Sequence, residues 1–403
     1  MKPLKSLISL EEGKKILFSH IKPVEKVEKL PLTQANKRVL FRDVVASINV
    51  PPFNRAAMDG YAVKAHNIYS ARSMEPVRLK LAGSISAGEF WEGELKDGEC
   101  LQIATGAPVP SGVDAVVMVE DTEKDDGNFI KFYRPVYPGA NISSAGEDIK
   151  KGQKVCLRED LLTPAKVGVL AALGEKEVEV FVKPLVAIIP SGDEIISPGE
   201  PLEKGKIYDV NSYTLLALVE ENGCRVILKP KLTDNIDDII KGIENALLAD
   251  LIIITGGSSV GERDLILEAI LQTKGEFLFH GIAVKPGKPT LACLVGEKLV
   301  LGMPGYPTSC LTNGYGFVVP LIRKLSHLPP KKEMLIKAPL SRRITSTLGR
   351  HQFLPVKLTN GWVVPVFKES GAITSMSEAE GYIEIPANVD LLERGDEVEV
   401  KLF

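Results

Sequence analysis

Three carboxylates follow short apolar segments of the chain, and their positions predict phosphate chemistry. Glu194, Asp234 and Asp264 each come a few residues after a run rich in branched apolar side chains, the composition of a buried parallel strand. The carboxyl ends of parallel strands meet at one edge of a sheet, where ligands bind. Because Mg²⁺ is commonly held by one or two carboxylates together with substrate phosphates, the three acids predict a magnesium site. A single loop carboxylate can instead cap a helix, and for Asp234 that alternative is open.

A glycine- and serine-rich segment, GGSSVGERD, lies between the third of these apolar runs and a predicted helix. Glycines let the backbone approach an anion closely, and a helix N-terminus attracts negative charge. Gly256 and Gly261 have the spacing of a P-loop, but Glu262 and Arg263 stand where that motif needs Lys and Ser or Thr. The segment therefore predicts an anion cradle rather than an ATPase loop, with a structural tight turn as the alternative. The cradle residues are Gly256, Gly257, Ser258 and Ser259.

Two lysines supply positive charge near a second loop rich in Gly and Pro. The segment KPGKP (285–289) places Lys285 and Lys288 on a backbone restrained by prolines. Two cations on such a loop suit phosphate or another oxyanion, although a solvated basic turn is equally compatible. The segment GMPGYPTS (302–309) then leads into another predicted helix. Its candidate binding residues are Pro304, Pro307 and Ser309.

Two further motifs lie in the first third of the chain. PPFNRAAMDGYAV (51–63) contains Asp59, and ATGAPVPSGVDAVVMVED (104–121) contains Thr105. Either could be a plain turn, since Asp-Gly and Gly/Pro sequences favour turns. The five histidines are scattered and form no H-x-x-x-H pair. No Ser-His-Asp order with a G-x-S-x-G elbow is indicated, so acyl-transfer chemistry is unsupported.

The elements that must position these residues alternate between strands and helices. Apolar runs rich in branched side chains predict strands at 184–190, 225–229, 250–255 and 298–303. Helical periodicity with start and stop signals predicts helices at 211–222, 233–249, 263–273 and 307–325, the second opening on a capping Thr or Asp. This alternation predicts an α/β domain with a doubly wound parallel sheet.

The flanking segments predict three smaller parts of a multidomain chain. Ser9 and Glu12 form a capping box at the start of an N-terminal helix, which we expect to pack with a helix at 161–174. Short β-like runs between them indicate an inserted β-rich domain, and alternating segments after Pro330 indicate a C-terminal β-barrel. The predicted domains are a discontinuous, mixed N-terminal domain (1–45 and 146–182), the inserted domain (46–145), the α/β domain (183–328) and the barrel (329–403).

Composition narrows the class of protein. The 403 residues carry 49 Lys and Arg against 52 Asp and Glu, so a net charge of −3 gives no basic excess that would indicate nucleic-acid binding. Five scattered cysteines form no C-x-x-C pair, which argues against a disulfide framework. No apolar run approaches the ~20 residues of a membrane span. We therefore expect a cytoplasmic protein without membrane or nucleic-acid partners.

Eight motifs, in order and over essentially the whole chain, resemble those of the molybdopterin molybdenumtransferases, the family that includes the C-terminal domain of gephyrin. The motifs are PPFNRAAMDGYAV, ATGAPVPSGVDAVVMVED, NISSAGEDIKKG, SGDE, IYDVNSY, GGSSVGERD, KPGKP and GMPGYP. The resemblance implies insertion of molybdate into adenylylated molybdopterin with magnesium-dependent release of AMP. It also implies a homodimer whose active sites lie between the α/β domain of one subunit and the inserted domain of the other, and a contact with the molybdopterin adenylyltransferase.

The resemblance also implies residue roles. The segment 256–259 looks like the cradle for pterin and phosphate. Lys285, Lys288 and Ser309 look like ligands for the anionic pterin or molybdate, in a loop shaped by Pro304 and Pro307. The remaining roles are catalytic for Asp59, Thr105, Glu194, Asp234 and Asp264, and metal-binding for Glu194, Asp234, Asp264 and Asp148.

Two departures from the family pattern affect the anion end of the site. Gly281 stands where many members have a further lysine, and Tyr306 replaces the Asn of a Gly-Asn-Pro loop. Both leave the choice between molybdate and tungstate open. Two other functions are the alternatives: a scaffold of the same fold that binds the pterin without catalysis, and an unrelated nucleotide-dependent phosphotransferase, which the missing P-loop Lys disfavours.

Overall fold

The computed structural model of the chain describes residues 7–256 and 265–403. These residues fall into two compact units. Unit 1 spans Met1–Glu28, Lys37–Val39 and Val180–Phe403, of which only the described residues are considered. Unit 2 spans Lys29–Asn36 and Leu40–Glu179. The boundaries of the four domains stay predictions.

A six-stranded sheet forms the centre of unit 1, and its first four strands are parallel, as predicted. Each of the last two strands pairs antiparallel with the strand before it in the sheet, so the sheet is mixed rather than purely parallel. Its strands, in spatial order, are Arg225–Leu228, Leu185–Pro190, Leu251–Thr255, Lys298–Met303, Leu291–Val295 and Glu276–His280. The helices that follow the parallel strands are Asn211–Glu221, Ile236–Glu244, Leu265–Gln272 and Pro307–Asn313. The last of these continues through a π-helical segment, Gly314–Val318, into helix Val319–Leu325.

The central strand explains why both faces of this sheet are covered. All five residues of Leu251–Thr255 are buried, and successive side chains alternate between two apolar clusters. Leu251 and Ile253 belong to one cluster, Ile252 and Ile254 to the other. The N-terminal helix, Leu10–His20, packs in the first cluster through Leu10 and Leu17. Its packing with the helix at 161–174 stays a prediction.

Helix starts follow local hydrogen bonds, and one differs from its prediction. The Ser9 hydroxyl accepts a hydrogen bond from the Glu12 N–H at 3.1 Å, which confirms the predicted cap. The helix predicted from 233, however, is capped by Asn235, whose side chain accepts from the N–H groups of Asp237 and Asp238. Asp234 therefore lies outside the cap, and the capping alternative for its carboxylate is wrong.

The C-terminal segment of unit 1 forms a curled sheet that closes on itself. Strand His351–Thr359 pairs with Gly381–Ile385 on one side and Trp362–Pro365 on the other. Glu397–Leu402 and Leu335–Pro339 extend the sheet, and a bridge from Leu340 to Val363 joins its two ends. Closure of the sheet agrees with the predicted barrel.

One strand of this barrel sheet comes from outside the predicted barrel segment. Val284–Lys285, in the lysine loop, pairs in parallel with His351 and Gln352. The smaller elements of unit 1 are Ile195–Ile196 paired with Ile207–Tyr208, Ile344–Thr345 paired with Leu391–Leu392, and helix Thr374–Ser377.

Unit 2 is built on a second six-stranded sheet, in agreement with the β-rich insertion. Its strands, in spatial order, are Ala115–Met118, Gly60–Val63, Glu99–Ile103, Val77–Ile85, Phe129–Phe132 and Thr122–Asp125. Short pairs join Ile142–Ser143 to Arg55–Ala56 and Lys154–Cys156 to Val44–Val45. Helix Pro164–Ala172 begins on its proline, with the Thr163 hydroxyl as cap, as predicted for the helix near 161–174. The chain also has strands Val27–Pro31 and Glu177–Phe181.

Gly60 is required where two strands of unit 2 approach closely. A Cβ at this position would lie 1.8 Å from the carbonyl oxygen of Val117. We expect Gly60→Ala to destabilise the protein by about 1–3 kcal/mol or more, because the strands would have to separate. Gly168→Ala is the matched control: a Cβ there meets nothing within 4 Å, so alanine in this helix is expected to stabilise by roughly 0.5–1 kcal/mol. Urea unfolding of both variants measures the two opposite effects, and an unaffected Gly60→Ala would contradict the first.

Within residues 7–256 and 265–403, no helix combines the length and apolar character needed to cross a membrane.

Candidate active site

The loops after the parallel strands of unit 1 meet at one edge of the sheet. Ser191 donates its N–H to the Thr255 carbonyl at 2.8 Å, and Leu232 donates to Pro190 at 2.9 Å. Gly256 donates to Met303 at 3.3 Å. The predicted common edge is therefore confirmed for the described parts of all four loops.

Three carboxylates lie together at this edge, and one of them was not predicted. Asp193 and Glu194 belong to the SGDE loop, and the Asp193 carboxylate accepts a hydrogen bond from the Asp234 N–H at 3.4 Å. Partial burial, followed by repulsion from Asp193 and then Glu194, raises the pKa of Asp234, while Lys231 opposes the shift. A raised carboxyl pKa beside two other acids is the electrostatic signature of a place that attracts a cation.

The backbone of the SGDE loop fixes the direction of Glu194. Gly192 has a φ of +132°, a conformation that other residues rarely adopt. A Cβ on Gly192 would lie 2.8 Å from Oε2 of Glu194, so the loop folds the carboxylate back over the glycine. The carbonyl of Glu194 accepts the Ile207 N–H at 2.9 Å, which holds the loop from its other side.

The charged form of Asp234 should lower the free energy of unfolding by a measurable amount. Because its pKa is higher in the folded protein than the unfolded value of about 3.9, folding disfavours its charged form above that pH. We expect Asp234→Asn to be more stable than the native chain at neutral pH, and this gain to disappear as the pH falls through the raised pKa to below about 4. Urea unfolding over a pH series measures it.

Asp237→Asn is the matched control for this experiment. Asp237 lies in the first turn of helix Ile236–Glu244, where a negative charge is favourable, so its loss should lower stability slightly at neutral pH. A gain of equal size in both variants would contradict the assignment to Asp234.

Gly256, the first cradle residue, also needs to be glycine. Its φ is +83°, and a Cβ would lie 2.3 Å from the Ser191 carbonyl oxygen. The end of strand Leu251–Thr255 therefore lies directly against the start of the SGDE loop. The predicted residues Gly257, Ser258, Ser259 and Asp264 lie outside the described residues.

The lysine loop is held by a buried asparagine that sequence reasoning missed. Asn313 is fully buried, and its Nδ2 donates to the Gly287 carbonyl at 2.8 Å and to the Thr290 hydroxyl at 2.7 Å. Lys285 Nζ donates to the Thr347 hydroxyl at 3.3 Å, and Lys288 is half-buried. Among the described residues, no carboxylate lies within ion-pair distance of either lysine.

The loop GMPGYPTS (302–309), which follows strand Lys298–Met303, is more enclosed than its sequence suggests. Pro304 is buried and Pro307 starts the helix Pro307–Asn313, while Ser309 is only 4% exposed. The Thr308 N–H donates to the Ser370 carbonyl at 3.0 Å, and the Thr308 hydroxyl to Ala372 at 2.9 Å. The barrel thus satisfies part of this helix N-terminus, which reduces its capacity for an anion.

The two departures noted in the sequence occupy defined positions. Gly281 has a φ of +99°, which explains why glycine is favourable there. The Tyr306 side chain is 66% exposed and lies next to Gly371 of the barrel.

Unit 2 brings Asp59 and Thr105 into contact. The sequence motifs predicted each residue separately, without a contact between them. One oxygen of the exposed Asp59 carboxylate accepts from the Thr105 N–H at 2.6 Å and from its hydroxyl at 2.8 Å. These two bonds hold the pKa of Asp59 below its ordinary value. Asp59 is therefore a fixed anion, suited to accept hydrogen bonds from a ligand or to help hold a cation. Asp148 is placed by a separate bond from its N–H to the Val50 carbonyl at 3.1 Å.

The described carboxylates fit a loosely held metal better than a closed protein cage. Over the two described stretches, no three His, Cys, Asp or Glu side chains are grouped closely enough to bind a metal on their own. Mg²⁺ does not need such a group, because it usually keeps several waters and uses one or two carboxylates with substrate phosphates. The acids around Asp234 meet that requirement.

Comparison with known proteins gives matches along the whole chain. The MoeA N-terminal region (domain I and II) matches residues 8–174, a probable molybdopterin binding domain matches 187–324, and the MoeA C-terminal region (domain IV) matches 337–403. A putative molybdopterin biosynthesis protein of Methanocaldococcus jannaschii is 34% identical over 100% of both chains. The molybdopterin molybdenumtransferase of Haemophilus influenzae is 35% identical over 86% of this chain and 85% of its own. A solved molybdopterin biosynthesis MoeA protein from Pyrococcus horikosii has a TM-score of 0.86 and 40% identity, covering 98% of this chain and 99% of its own.

Proposed function

The chain belongs to the MoeA family, and from this premise we propose that it is a molybdopterin molybdenumtransferase of molybdenum cofactor biosynthesis. In the proposed reaction, molybdate is inserted into the dithiolene of adenylylated molybdopterin. The two dithiolene sulfurs bind molybdenum in place of oxygen. The displaced oxygen takes up the thiol protons and leaves as water. Water also cleaves the pyrophosphate bond, so that AMP leaves and the terminal phosphate stays on the pterin.

The observation that carries this proposal is the acid group beside Gly256. Asp193, Glu194 and Asp234 lie at the sheet edge where the Gly256 backbone packs against Ser191. A phosphate approaching Gly256 would otherwise be repelled by these acids, so the arrangement suits a cation between them. We propose that Glu194 and Asp234 hold Mg²⁺, with Asp264 and Asp148 as further ligands. The ion would neutralise charge on the pyrophosphate.

The other residues act by position and charge. Molybdate is a dianion and the substrate carries a pyrophosphate, so the two repel each other. Lys285 and Lys288, on the loop fixed by Asn313, would offset that repulsion, with Ser309 as a further ligand. Pro304 and Pro307 would shape the neighbouring loop. The segment 256–259 would hold phosphate through its backbone. Asp59, fixed by Thr105, would orient the substrate through a hydrogen bond.

The direct test mixes the purified chain with adenylylated molybdopterin, molybdate and Mg²⁺ and measures AMP. We expect release that depends on both molybdate and Mg²⁺. The proposal fails if substrate binds but AMP does not rise above background. Tight binding without metal dependence would instead support a non-catalytic, pterin-binding scaffold.

The finer parts of the proposal concern assembly and setting. We propose a homodimer in which each active site takes residues from both subunits, and a transient contact with the adenylyltransferase that would supply the substrate. A cytoplasmic setting suits five cysteines that are all buried.

A further inference from the structure

A cavity of about 420 Å³ opens beside the acid group at the carboxyl edge of the sheet in unit 1. It lies between the ends of strands Leu185–Pro190 and Arg225–Leu228 and the start of helix Asn211–Glu221. This volume is within the range of sites that enclose a small organic ligand. None of the residues given a role in the proposed reaction lines it, so its function is open.

The polar floor of the cavity is a nearly buried acid. Asp209 is 9% exposed, and its backbone N–H is held by the Ile196 carbonyl at 2.9 Å. Its Oδ1 accepts the Ser212 N–H at 3.0 Å, which fixes the side chain at the helix start. An ionised carboxylate has four acceptor positions, so this one can still accept from a ligand that presents N–H groups.

A second polar group beside it has no partner. Ser212 also lines the cavity, is 1% exposed, and its hydroxyl makes no hydrogen bond with the described residues. Buried hydroxyls are normally paired, so this unpaired hydroxyl can bond a polar group of a ligand in the cavity.

Part of the remaining wall suits a flat ring. Lys229 and Lys231 also line the cavity, with their ammonium groups bonded to the carbonyls of Asn245 and Ile195. Ile195 and Leu228 are apolar, and the ring of Tyr213 is 46% exposed at the cavity. Glu200, the other acid of the lining, already accepts the Ser197 N–H at 3.2 Å. An aromatic bicycle could pack between these side chains with one polar edge towards Asp209.

From these contacts we infer that the cavity binds the pterin bicycle of the substrate, with Asp209 accepting hydrogen bonds from its 2-amino group and N3–H. This inference rests on the proposed function, since it names a subsite of the same substrate. The phosphate end would extend from there towards Gly256, because Pro190, which lines the cavity, immediately precedes Ser191.

Hydrogen-bond pattern decides between the two rings of the substrate. The amide and amidine edge of a pterin presents two donors side by side, which match the two oxygens of a carboxylate. The equivalent edge of adenine presents one donor and one acceptor, and the acceptor would face a negative oxygen. Asp209 therefore favours the pterin ring over the adenine ring.

The test compares pterin with lumazine, in which oxygen replaces the 2-amino group. Both are fluorescent, so titration with the full-length protein gives each dissociation constant. We expect the native chain to prefer pterin by about tenfold or more, the value of a hydrogen bond to a charged group. Asp209→Asn should abolish or reverse that preference, because the Asn amide can donate to the lumazine oxygen. Asp237→Asn, which also removes an acid from a helix start, should keep it.

Ser212→Ala separates binding from folding. Since the native hydroxyl is unpaired, its removal should not destabilise the chain, yet pterin affinity should fall. Unchanged pterin preference in Asp209→Asn would overturn the inference. The inference would also be overturned if Asp209→Asn lost affinity for AMP but kept its affinity for pterin. That result would show that the cavity binds adenine. AMP release by the native chain is measured alongside: if it is absent while the pterin preference holds, the proposed function fails and the subsite survives.

Discussion

Replacing Glu194 or Asp59 with alanine is expected to lower the rate of AMP release by about 10²-fold or more, the usual effect of removing one group that stabilises developing charge. Glu194 is directed by the Gly192 turn, and Asp59 is held ionised by two hydrogen bonds from Thr105. Both carboxylates are exposed, so neither variant creates a cavity. Steady-state AMP release, with circular dichroism to show that each variant is folded, measures the effect.

Matched controls remove exposed acids from the same units. Glu220→Ala lies on helix Asn211–Glu221 of unit 1, and Asp126→Ala lies in a turn of unit 2. Both should retain the native rate. If Glu194→Ala and Asp59→Ala also turned over normally, the active site would be misplaced.

Mixing the two inactive variants should restore activity if each site takes residues from both subunits. A dimer of one Asp59→Ala chain and one Glu194→Ala chain has one site with both mutations and one site with neither. With random assortment, half of the dimers are mixed, so we expect about a quarter of the native rate. The recovery should require subunit exchange, for instance by denaturing and refolding the variants together.

The contrary outcome is equally clear. If one chain supplies both Asp59 and Glu194 to a site, every mixed dimer lacks an intact site, and the rate stays at the level of the single variants. Light scattering on the same samples measures the mass, and a monomeric chain would exclude the shared-site arrangement.

The features that the sequence predicted well are those set by neighbouring residues. Ser9 caps its helix by a bond to Glu12, three residues away, and the apolar run Leu251–Thr255 is a strand because each side chain enters one of two cores. The common edge of the four loops follows from parallel pairing alone.

The features that escaped prediction depend on partners far along the chain. Asn313 reads as an ordinary polar helix residue, because its partner Gly287 lies 26 positions earlier. Asp193 and Glu194 are adjacent acids, and the sequence alone does not show that Asp193 is the one that bonds to Asp234. The strand Glu276–His280 pairs antiparallel with Leu291–Val295, an addition that the βα alternation does not predict.

The pairing of Val284–Lys285 with His351 and Gln352 limits how this protein can be recombined. A chimera that takes its barrel from a relative must also present a compatible edge to the lysine loop, or Lys285 loses its backbone register. We therefore expect the C-terminal segment to be exchangeable only together with residues 284–285. Sequence changes at 351–352 are expected to shift the backbone of the lysine loop, and with it Lys285.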